Sequence, residues 1–178
     1  SQKTNQQTTT NGGALYIKLT SQKAPKSLKN NTILNCTFEN CKSTTTTKGN
    51  GGGAIYIDYT VDMYSNIINC LFIGNTVLNQ RGGAIYIKPR KGSIDSCTFK
   101  DNDAKTGASI YYDKLNTDTF YFVNNKFEQC NAIPSSKGIV EIYWTTNSNF
   151  NFQKNTFTST CSKEVYCLLY STNNKGTP

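Results

Sequence analysis

The side chains best suited to chemistry in this sequence are seven cysteines and eleven carboxylates, and no histidine accompanies them. Without histidine, neither a serine nor a cysteine triad of the usual kind can form. No CxxC pair is present, which argues against a zinc site. Hydrolysis of a polysaccharide needs paired acids, and the acidic residues are spread thinly along the chain. We therefore predict that the protein is not an enzyme and has no catalytic residue, cofactor or metal site.

Three cysteines share one local setting. Cys36, Cys70 and Cys97 each lie two residues before a phenylalanine. If these copies stack above one another, two arrangements are open: a ladder of buried reduced thiols, or a disulfide between neighbouring copies such as Cys36 to Cys70. Cys161 and Cys167 are close in sequence and are candidates for a local disulfide near the end of the chain.

An internal repeat accounts for this pattern. The hexapeptide at 12–17 recurs at 52–57 and 82–87, with weaker copies at 107–112, 140–144 and 168–170. A second element alternates with the first, and its phenylalanines lie 34, 27, 28 and 30 residues apart: Phe38, Phe72, Phe99, Phe127 and Phe157. Both elements alternate with a period of two, which predicts short strands.

Strands separated by polar turns, repeated every 30 residues or so, predict a solenoid. The expected fold is all-β: a right-handed parallel β-helix of about five to six irregular coils. We place it at 12–172, after a flexible N-terminal segment or linker at 1–11 and before a C-terminal tail at 173–178.

This register places a column of tyrosines on the outer face. Its predicted members are Tyr16, Tyr56, Tyr86, Tyr111, Tyr143 and Tyr170. Two residues further on, the outward positions alternate in charge, as stacked strands favour: Lys18, Asp58, Lys88 and Asp113. An exposed aromatic column can bind sugar rings or another protein. Alternatively, loops or tails cover the tyrosines, or they stack on one another for stability. Lys18, Lys88 and Arg90 are candidates for binding sulfate or carboxylate groups beside it.

The two elements together resemble the repeats of the chlamydial polymorphic membrane protein family, which is marked by GGAI and FxxN tetrapeptides. GGAI stands at 52–55 and 82–85, with GGAL at 12–15, and FxxN stands at 72–75 and 99–102. After Phe38 the asparagine position is instead Cys41. The resemblance covers nearly the whole chain after about Asn11, and it implies a β-helical surface adhesin.

Composition narrows the partners and the compartment. The net charge of +8 favours acidic partners such as anionic glycans, while the scattered lysines and the lack of a recognised motif argue against nucleic acid. No apolar run is long enough to predict a transmembrane segment. The cysteines in a Thr/Asn-rich chain indicate an oxidising compartment, so we predict an extracellular or cell-surface protein. Asn30 and Asn35 begin matches to the N-glycosylation acceptor pattern.

Three functions fit these predictions. The first is a non-enzymatic adhesin or structural scaffold that presents a side face to a host or neighbouring cell. The second is a self-stacking subunit of an extracellular fibre or coat, because open end coils expose unpaired strands. The third is a β-helix that binds or degrades polysaccharide.

Overall fold

The computed structural model describes residues 11–19, 29–45, 51–59, 63–89, 91–113, 119–129, 138–144, 149–159 and 169–173. Within these ranges the regular structure is β throughout. The first ten strands are β1 (Leu15–Leu19), β2 (Lys29–Leu34), β3 (Thr37–Glu39), β4 (Lys42–Ser43), β5 (Ile55–Tyr59), β6 (Met63–Ile68), β7 (Leu71–Ile73), β8 (Thr76–Arg81), β9 (Ile85–Lys88) and β10 (Lys91–Asp95). The next nine are β11 (Thr98–Lys100), β12 (Asp103–Thr106), β13 (Ile110–Asp113), β14 (Thr119–Val123), β15 (Lys126–Gln129), β16 (Val140–Trp144), β17 (Asn149–Gln153), β18 (Thr156–Ser159) and β19 (Leu169–Asn173).

The strands form four sheets in which the paired strands are parallel. Sheet A has the order β1-β5-β9-β13-β16-β19, and sheet B has the order β17-β14-β10-β6-β2. Sheet C has the order β18-β15-β11-β7-β3, and sheet D has the order β12-β8-β4. Each coil therefore contributes one strand to each of several sheets. The next coil then lies one strand spacing further along the axis. The all-β parallel solenoid predicted from the repeat is the fold of the described residues.

The predicted phenylalanine column forms the centre of sheet C. The members pair in register from β3 to β18, and their rings stack with centroids 4.7 to 5.0 Å apart. Phe72, Phe99 and Phe127 are completely buried. Each stacked pair adds about 0.5–1.5 kcal/mol to the stabilisation from burial. The column is confirmed, and it faces the inward branched residues of sheets A and B.

A ladder of cysteine and asparagine side chains lines the turn between sheets B and C. The Cys36 and Cys70 backbone N–H groups donate to the Sγ atom of the next cysteine, at 3.5 and 3.4 Å. Further along, Cys97 N–H donates to Asn125 Oδ1, and Asn125 N–H donates to Asn155 Oδ1, each at 3.0 Å. The side chains thus satisfy buried backbone donors that no strand pairs.

The FxxN asparagines form a second ladder at the turn between sheets C and D. Cys41 N–H donates to Asn75 Oδ1, and Asn75 N–H donates to Asn102 Oδ1, both at 3.0 Å. Asn75 and Asn102 are completely buried. Their Nδ2 groups donate to the carbonyl oxygens of Phe38 and Phe72 in the preceding coils. The asparagine of the tetrapeptide therefore links three successive coils.

The described cysteines are free thiols: Cys36, Cys41, Cys70 and Cys97. The alternative of a disulfide between Cys36 and Cys70 is therefore wrong for this structure, and the thiol ladder is the arrangement found. Each thiol is held by a carbonyl oxygen two residues earlier, such as Leu34 O for Cys36. Burial raises the pKa of Cys97 to about 12. The predicted pair Cys161 and Cys167 lies outside the described residues.

The glycine pairs allow the turn into sheet A. Gly52 and Gly82 adopt positive φ angles of 74° and 68°, which side chains disfavour. The second glycine of each pair faces the next coil so closely that a Cβ at Gly53 would overlap the Gly83 carbonyl oxygen. Both glycines are therefore required for these coils to stack at strand spacing.

Two predictions about the chain as a whole concern its ends and the membrane. Most of the predicted N-terminal segment and C-terminal tail lies outside the described residues. No helix that is long and apolar enough to cross a membrane was found in the part of the chain that the structure describes.

Candidate binding surfaces

The tyrosine column exists on the outer side of sheet A. Tyr16, Tyr56, Tyr86 and Tyr111 pair in register. Their rings stack with interplanar angles of 11° to 14° and centroid distances of 4.8 to 5.4 Å. We use the term tyrosine column for these four residues. The stacking arises because identical outward residues repeat at the spacing of parallel strands.

The prediction that this column is an exposed stripe is wrong for three of its members. Tyr56, Tyr86 and Tyr111 are only 3%, 4% and 1% exposed. Tyr16, in the first described coil, is 48% exposed. The stacked rings form a small apolar cluster of their own, against which Tyr143 packs. The column therefore stabilises the fold, as the alternative interpretation expected.

Charged side chains contact three tyrosines of the column. The Tyr86 hydroxyl donates to Asp113 Oδ2 at 3.0 Å, and the Arg81 guanidinium lies 4.6 Å from the centre of the Tyr111 ring. Burial raises the pKa of the Tyr56, Tyr86 and Tyr111 hydroxyls above the ordinary value. These three rings are packed, and the hydroxyls of Tyr56 and Tyr86 donate to the carboxylates of Asp58 and Asp113.

Tyr143 does not occupy the position predicted for it. In sheet A the partner of Tyr111 is Glu141, and Tyr143 pairs with Asp113. The register of β16, the fifth strand of sheet A, follows from the backbone of the turn that precedes it. In that turn Ser109 N–H donates to Ile139 O, which places Val140 opposite Ile110. The predicted alignment, which matched Ile142-Tyr143 with Ile110-Tyr111, was therefore two residues out of register. Tyr170 pairs with Glu141 along the backbone.

The alternating charges occupy one row beside the column. Lys18 pairs with Asp58, and Asp58 pairs with Lys88. Asp113 extends this row. Burial raises the pKa of the Asp113 carboxyl, and the nearby Lys88 ammonium lowers it by a smaller amount. Lys18 is exposed and Lys88 is half-buried. Arg90, the third predicted anion-binding residue, lies outside the described residues.

A different face, the outer side of sheet B, carries an open groove. It has a volume of about 410 Å³ and is lined by Tyr64, Asn66, Lys91, Ser93, Thr119 and Tyr121, with the backbone of Gly92. We call this set the sheet B groove. Tyr121 is 46% exposed, and the other lining side chains are half-buried. The groove thus combines aromatic, cationic and hydrogen-bonding groups on an accessible surface.

Strand register positions these groups. Tyr64 pairs with Lys91 across β6 and β10, and Asn66 pairs with Ser93 two residues further along the strands. Ser93 in turn pairs with Tyr121 of β14. The Lys91 Nζ lies 5.7 Å from the centre of the Tyr64 ring. The Ser93 hydroxyl donates to Asn66 Oδ1 at 3.2 Å. Such groups suit noncovalent recognition by stacking, hydrogen bonding and charge.

A model of a known family covers almost the entire chain. The family is described as a right-handed β-helix region, and its model matches residues 5–176. The chain belongs to this right-handed β-helix family. The four parallel sheets and the stacked columns are the structural counterpart of that match.

Searches among curated proteins and among solved structures gave no match to this β-helix. The resemblance to the chlamydial polymorphic membrane proteins therefore stays a prediction at the level of the particular family. No group of three or more His, Cys, Asp or Glu side chains placed to hold a metal ion was found among the described residues of the β-helix.

The two predicted glycosylation sites differ in their surroundings. Asn30 and Asn35 are both exposed. Asn35 has a positive φ of 54° at the turn after β2, and its Oδ1 accepts a hydrogen bond from Asn69 Nδ2 at 2.7 Å. An N-linked glycan is attached at Nδ2 and leaves the Oδ1 acceptor in place, so both sites stay predictions.

Sequence reasoning missed the sheet B groove, although one signal was present. Phe120 and Phe122 are both completely buried in β14, so the tyrosine between them must point outward. β6 shows the same alternation around Tyr64. These tyrosines belong to no repeated motif, so the repeat does not indicate them.

Proposed function

We propose that this β-helix is a non-enzymatic adhesin or structural scaffold, located outside the cell or at its surface, and that the sheet B groove is its contact face. The observation that carries the proposal is the grouping of Tyr64, Lys91 and Tyr121 on an open face, while most of the tyrosine column is buried. A rigid parallel stack holds these groups in place without loops.

The geometry favours contact with an extended surface. The lining side chains come from three adjacent strands of a regular sheet, so the groove is shallow and continuous with the rest of the face. Rings and amides on such a face bind ligands with modest affinity per site, and repeated copies on a cell or polymer strengthen attachment through multivalency. An adhesin or scaffold requires this behaviour.

Adhesion of protein-coated beads to cultured epithelial cells tests the contact face. We expect wild-type beads to bind more than albumin-coated beads, and the double variant Tyr64→Ala with Tyr121→Ala to lose most of this binding. The matched control is Tyr16→Ala, which removes an exposed tyrosine of sheet A. Circular dichroism and thermal unfolding establish that the variants are folded. Normal adhesion by the groove variant would overturn the proposed face.

The non-enzymatic part needs its own measurement. Prolonged incubation with pectin, hyaluronan and chitin should release neither new reducing ends nor the unsaturated products of a lyase. Product formation above a boiled-protein blank would contradict this part of the proposal and favour a degrading enzyme.

A second candidate function, self-stacking into a fibre, is favoured by the first described coil. Its core residues are less covered than their counterparts in the next coil: Leu15, Ile17, Cys36 and Phe38 are half-buried, whereas Ile55, Ile57 and Phe72 are completely buried. The ring of Tyr16 stacks on Tyr56 and is otherwise largely exposed. The first described coil therefore has partly uncovered core residues, which favours stacking of another coil on it.

Sedimentation over a hundredfold concentration range, combined with electron microscopy, tests stacking. End-to-end assembly predicts filaments whose formation is lost in Tyr16→Lys and kept in Tyr121→Ala. A monomer at all concentrations would exclude this function.

A further inference from the structure

The outer side of sheet C is apolar in one strand. The two outward side chains of β7 are Leu71 and Ile73, and both are half-buried. The four other strands of sheet C that the structure describes carry threonine or charged residues at the matching positions: Thr37, Glu39, Thr98, Lys100, Lys126, Glu128, Thr156 and Thr158. Apolar groups placed together on an otherwise polar surface mark an interaction site.

The neighbouring corner of sheet B extends this apolar surface. Ile68, the last residue of β6, is half-buried, and it pairs with Leu34 of the first described coil. Leu34 is 51% exposed. Only a two-residue turn separates β6 from β7. In the next coil the partner of Ile68 is Asp95, so the apolar surface ends there. We use the term apolar patch for four residues: Leu34, Ile68, Leu71 and Ile73.

One acidic and one basic side chain border Ile73 on opposite sides. Glu39 pairs with Ile73 from β3, and Lys100 pairs with it from β11. Both side chains are exposed, and neither charged group makes a hydrogen bond or an ion pair with the residues that the structure describes. Their Cα atoms lie two strand spacings apart, about 10 Å. Glu128, the next residue of this row, is ion-paired with Lys126.

We propose that the apolar patch is the interface of a symmetric dimer, in which a second copy of this β-helix packs against it with its long axis antiparallel. A two-fold axis parallel to β7 places Leu71 and Ile73 opposite the same residues of the second copy, and it reverses the order of the coils. Glu39 of each copy then faces Lys100 of the other, as a self-complementary interface requires.

The two border charges select this partner and this direction. If the copies packed with parallel axes, Glu39 would face Glu39 and Lys100 would face Lys100, and like charges repel. A partner of uniformly acidic or basic character would be attracted by one border charge and repelled by the other. A surface with both signs around an apolar centre is instead complementary to a second copy of itself.

The size of the apolar patch predicts a weak and reversible dimer. Four partly exposed apolar side chains cover less area than a standard interface, which buries about 800 Å² per partner. The apolar patch includes none of the residues that line the sheet B groove and does not use the Tyr16 ring. The dimer therefore goes beyond the proposed function and does not depend on it.

Sedimentation velocity from about 1 to 100 μM, the range suited to a weak interface, tests the dimer. We expect wild type to change from monomer to dimer, and Ile73→Ser to weaken dimerisation at least tenfold. The matched control is Leu78→Ser, which removes a leucine of sheet D that is 69% exposed. Circular dichroism and thermal unfolding establish that the variants are folded. A wild-type monomer at 100 μM, or an equal loss in Leu78→Ser, would overturn the proposal.

Charge reversal tests the antiparallel direction. Glu39→Lys and Lys100→Glu should each weaken the dimer about tenfold, because the symmetry repeats every altered contact twice. The double variant carries both reversals and should recover an affinity within about threefold of wild type. Such a recovery is a coupling between two residues that do not contact each other within one chain. Losses that simply add in the double variant would exclude the antiparallel dimer.

End-to-end stacking is distinguished by its stoichiometry. The proposed interface closes at two copies, whereas stacking continues. Tyr16→Lys, which should abolish filaments, should leave the dimer unchanged. Association that proceeds beyond two copies, is lost in Tyr16→Lys and persists in Ile73→Ser would be stacking and would overturn the dimer. Adhesion in the bead assay depends on Tyr64 and Tyr121 and not on Ile73, so the two proposals fail separately.

Discussion

Cysteine and asparagine occupy the same inward position of this β-helix and satisfy the same backbone group with unequal strength. Where asparagine is present, the N–H of the preceding coil bonds an oxygen at 3.0 Å, as at Asn125. Where cysteine is present, the acceptor is a sulfur at 3.4 or 3.5 Å, and sulfur is a weak acceptor. Asparagine also donates to a carbonyl of the preceding coil, at 2.8 Å for Asn125 and Ile94. The asparagine version is therefore the stronger link.

This difference predicts that Cys97→Asn stabilises the protein by about 1 kcal/mol. The new amide would accept from Cys70 N–H and donate to Ile67 O, which the Cys97 thiol now contacts at 3.5 Å. The reference variant Cys97→Ala keeps neither bond and should be less stable than wild type. Urea unfolding of the three proteins provides the comparison. An asparagine variant less stable than the alanine variant would show that this turn lacks room for the amide.

A second residue-scale prediction concerns Asp113. Burial raises the pKa of this carboxyl above its ordinary value of 3.8, so the folded state favours its protonated form more than the unfolded state does. The resulting contribution to stability is present below pH 3.8 and is lost as the pH rises through the folded-state pKa. Asp113→Asn keeps an oxygen to accept from the Tyr86 hydroxyl without the charge.

We therefore expect Asp113→Asn to be at least as stable as wild type at pH 7, and its advantage to shrink as the pH falls towards 3. Urea unfolding of both proteins across this range measures the difference. The control is Tyr86→Phe, which removes the hydroxyl partner and should lower stability at neutral pH. An advantage of the asparagine variant that grows on acidification would contradict the direction of the shift.

At the scale of elements, the repeat predicted the columns well. Positions with a repeated residue type were placed correctly, such as the phenylalanines of sheet C and the inward Ile33, Ile67 and Ile94 of sheet B. The repeat failed where the composition changed: around Tyr143 the backbone turn overrode the similarity of side chains. The sequence also could not predict that the tyrosine column is buried, because a motif indicates which face of a sheet a residue occupies but not what covers that face.

The corrected register of β16 predicts a specific cross-link. Asp113 and Tyr143 are paired positions on neighbouring strands, where Cα atoms lie about 4.8 Å apart, within the range for a disulfide. The double variant Asp113→Cys with Tyr143→Cys should therefore oxidise to a disulfide. Tyr111 and Tyr143 are offset by two residues and lie about 8 Å apart. The corresponding variant, Tyr111→Cys with Tyr143→Cys, should stay reduced.

Non-reducing peptide mapping after mild oxidation measures both products. The wild-type protein, treated in the same way, controls for cross-links among the native cysteines. A disulfide in the Tyr111 variant and none in the Asp113 variant would restore the register expected from the shared Ile-Tyr pair.

At the scale of the whole molecule, each coil is stabilised mainly by the coils on either side of it. In such a solenoid the stability is roughly a sum over repeats and their interfaces. Inner coils have two interfaces, and the first described coil pairs within each sheet with one neighbouring strand. Because the same side chains recur in both settings, the cost of an equivalent substitution should depend on the position of its coil.

The phenylalanine column provides the matched pair for this prediction. Phe99 is completely buried and stacks on Phe72 at 4.8 Å and on Phe127 at 4.9 Å. Phe38 is half-buried and stacks within the column on Phe72 alone, at 5.0 Å. We expect Phe99→Ala to lower the free energy of unfolding by about 4 kcal/mol and Phe38→Ala by about half as much, since less apolar area is lost. Urea unfolding followed by circular dichroism measures both. Equal losses of unfolding free energy would mean that the first described coil is covered in solution, as stacking of a second molecule on it predicts. Dilution would then reduce the loss for Phe38→Ala and leave the loss for Phe99→Ala unchanged.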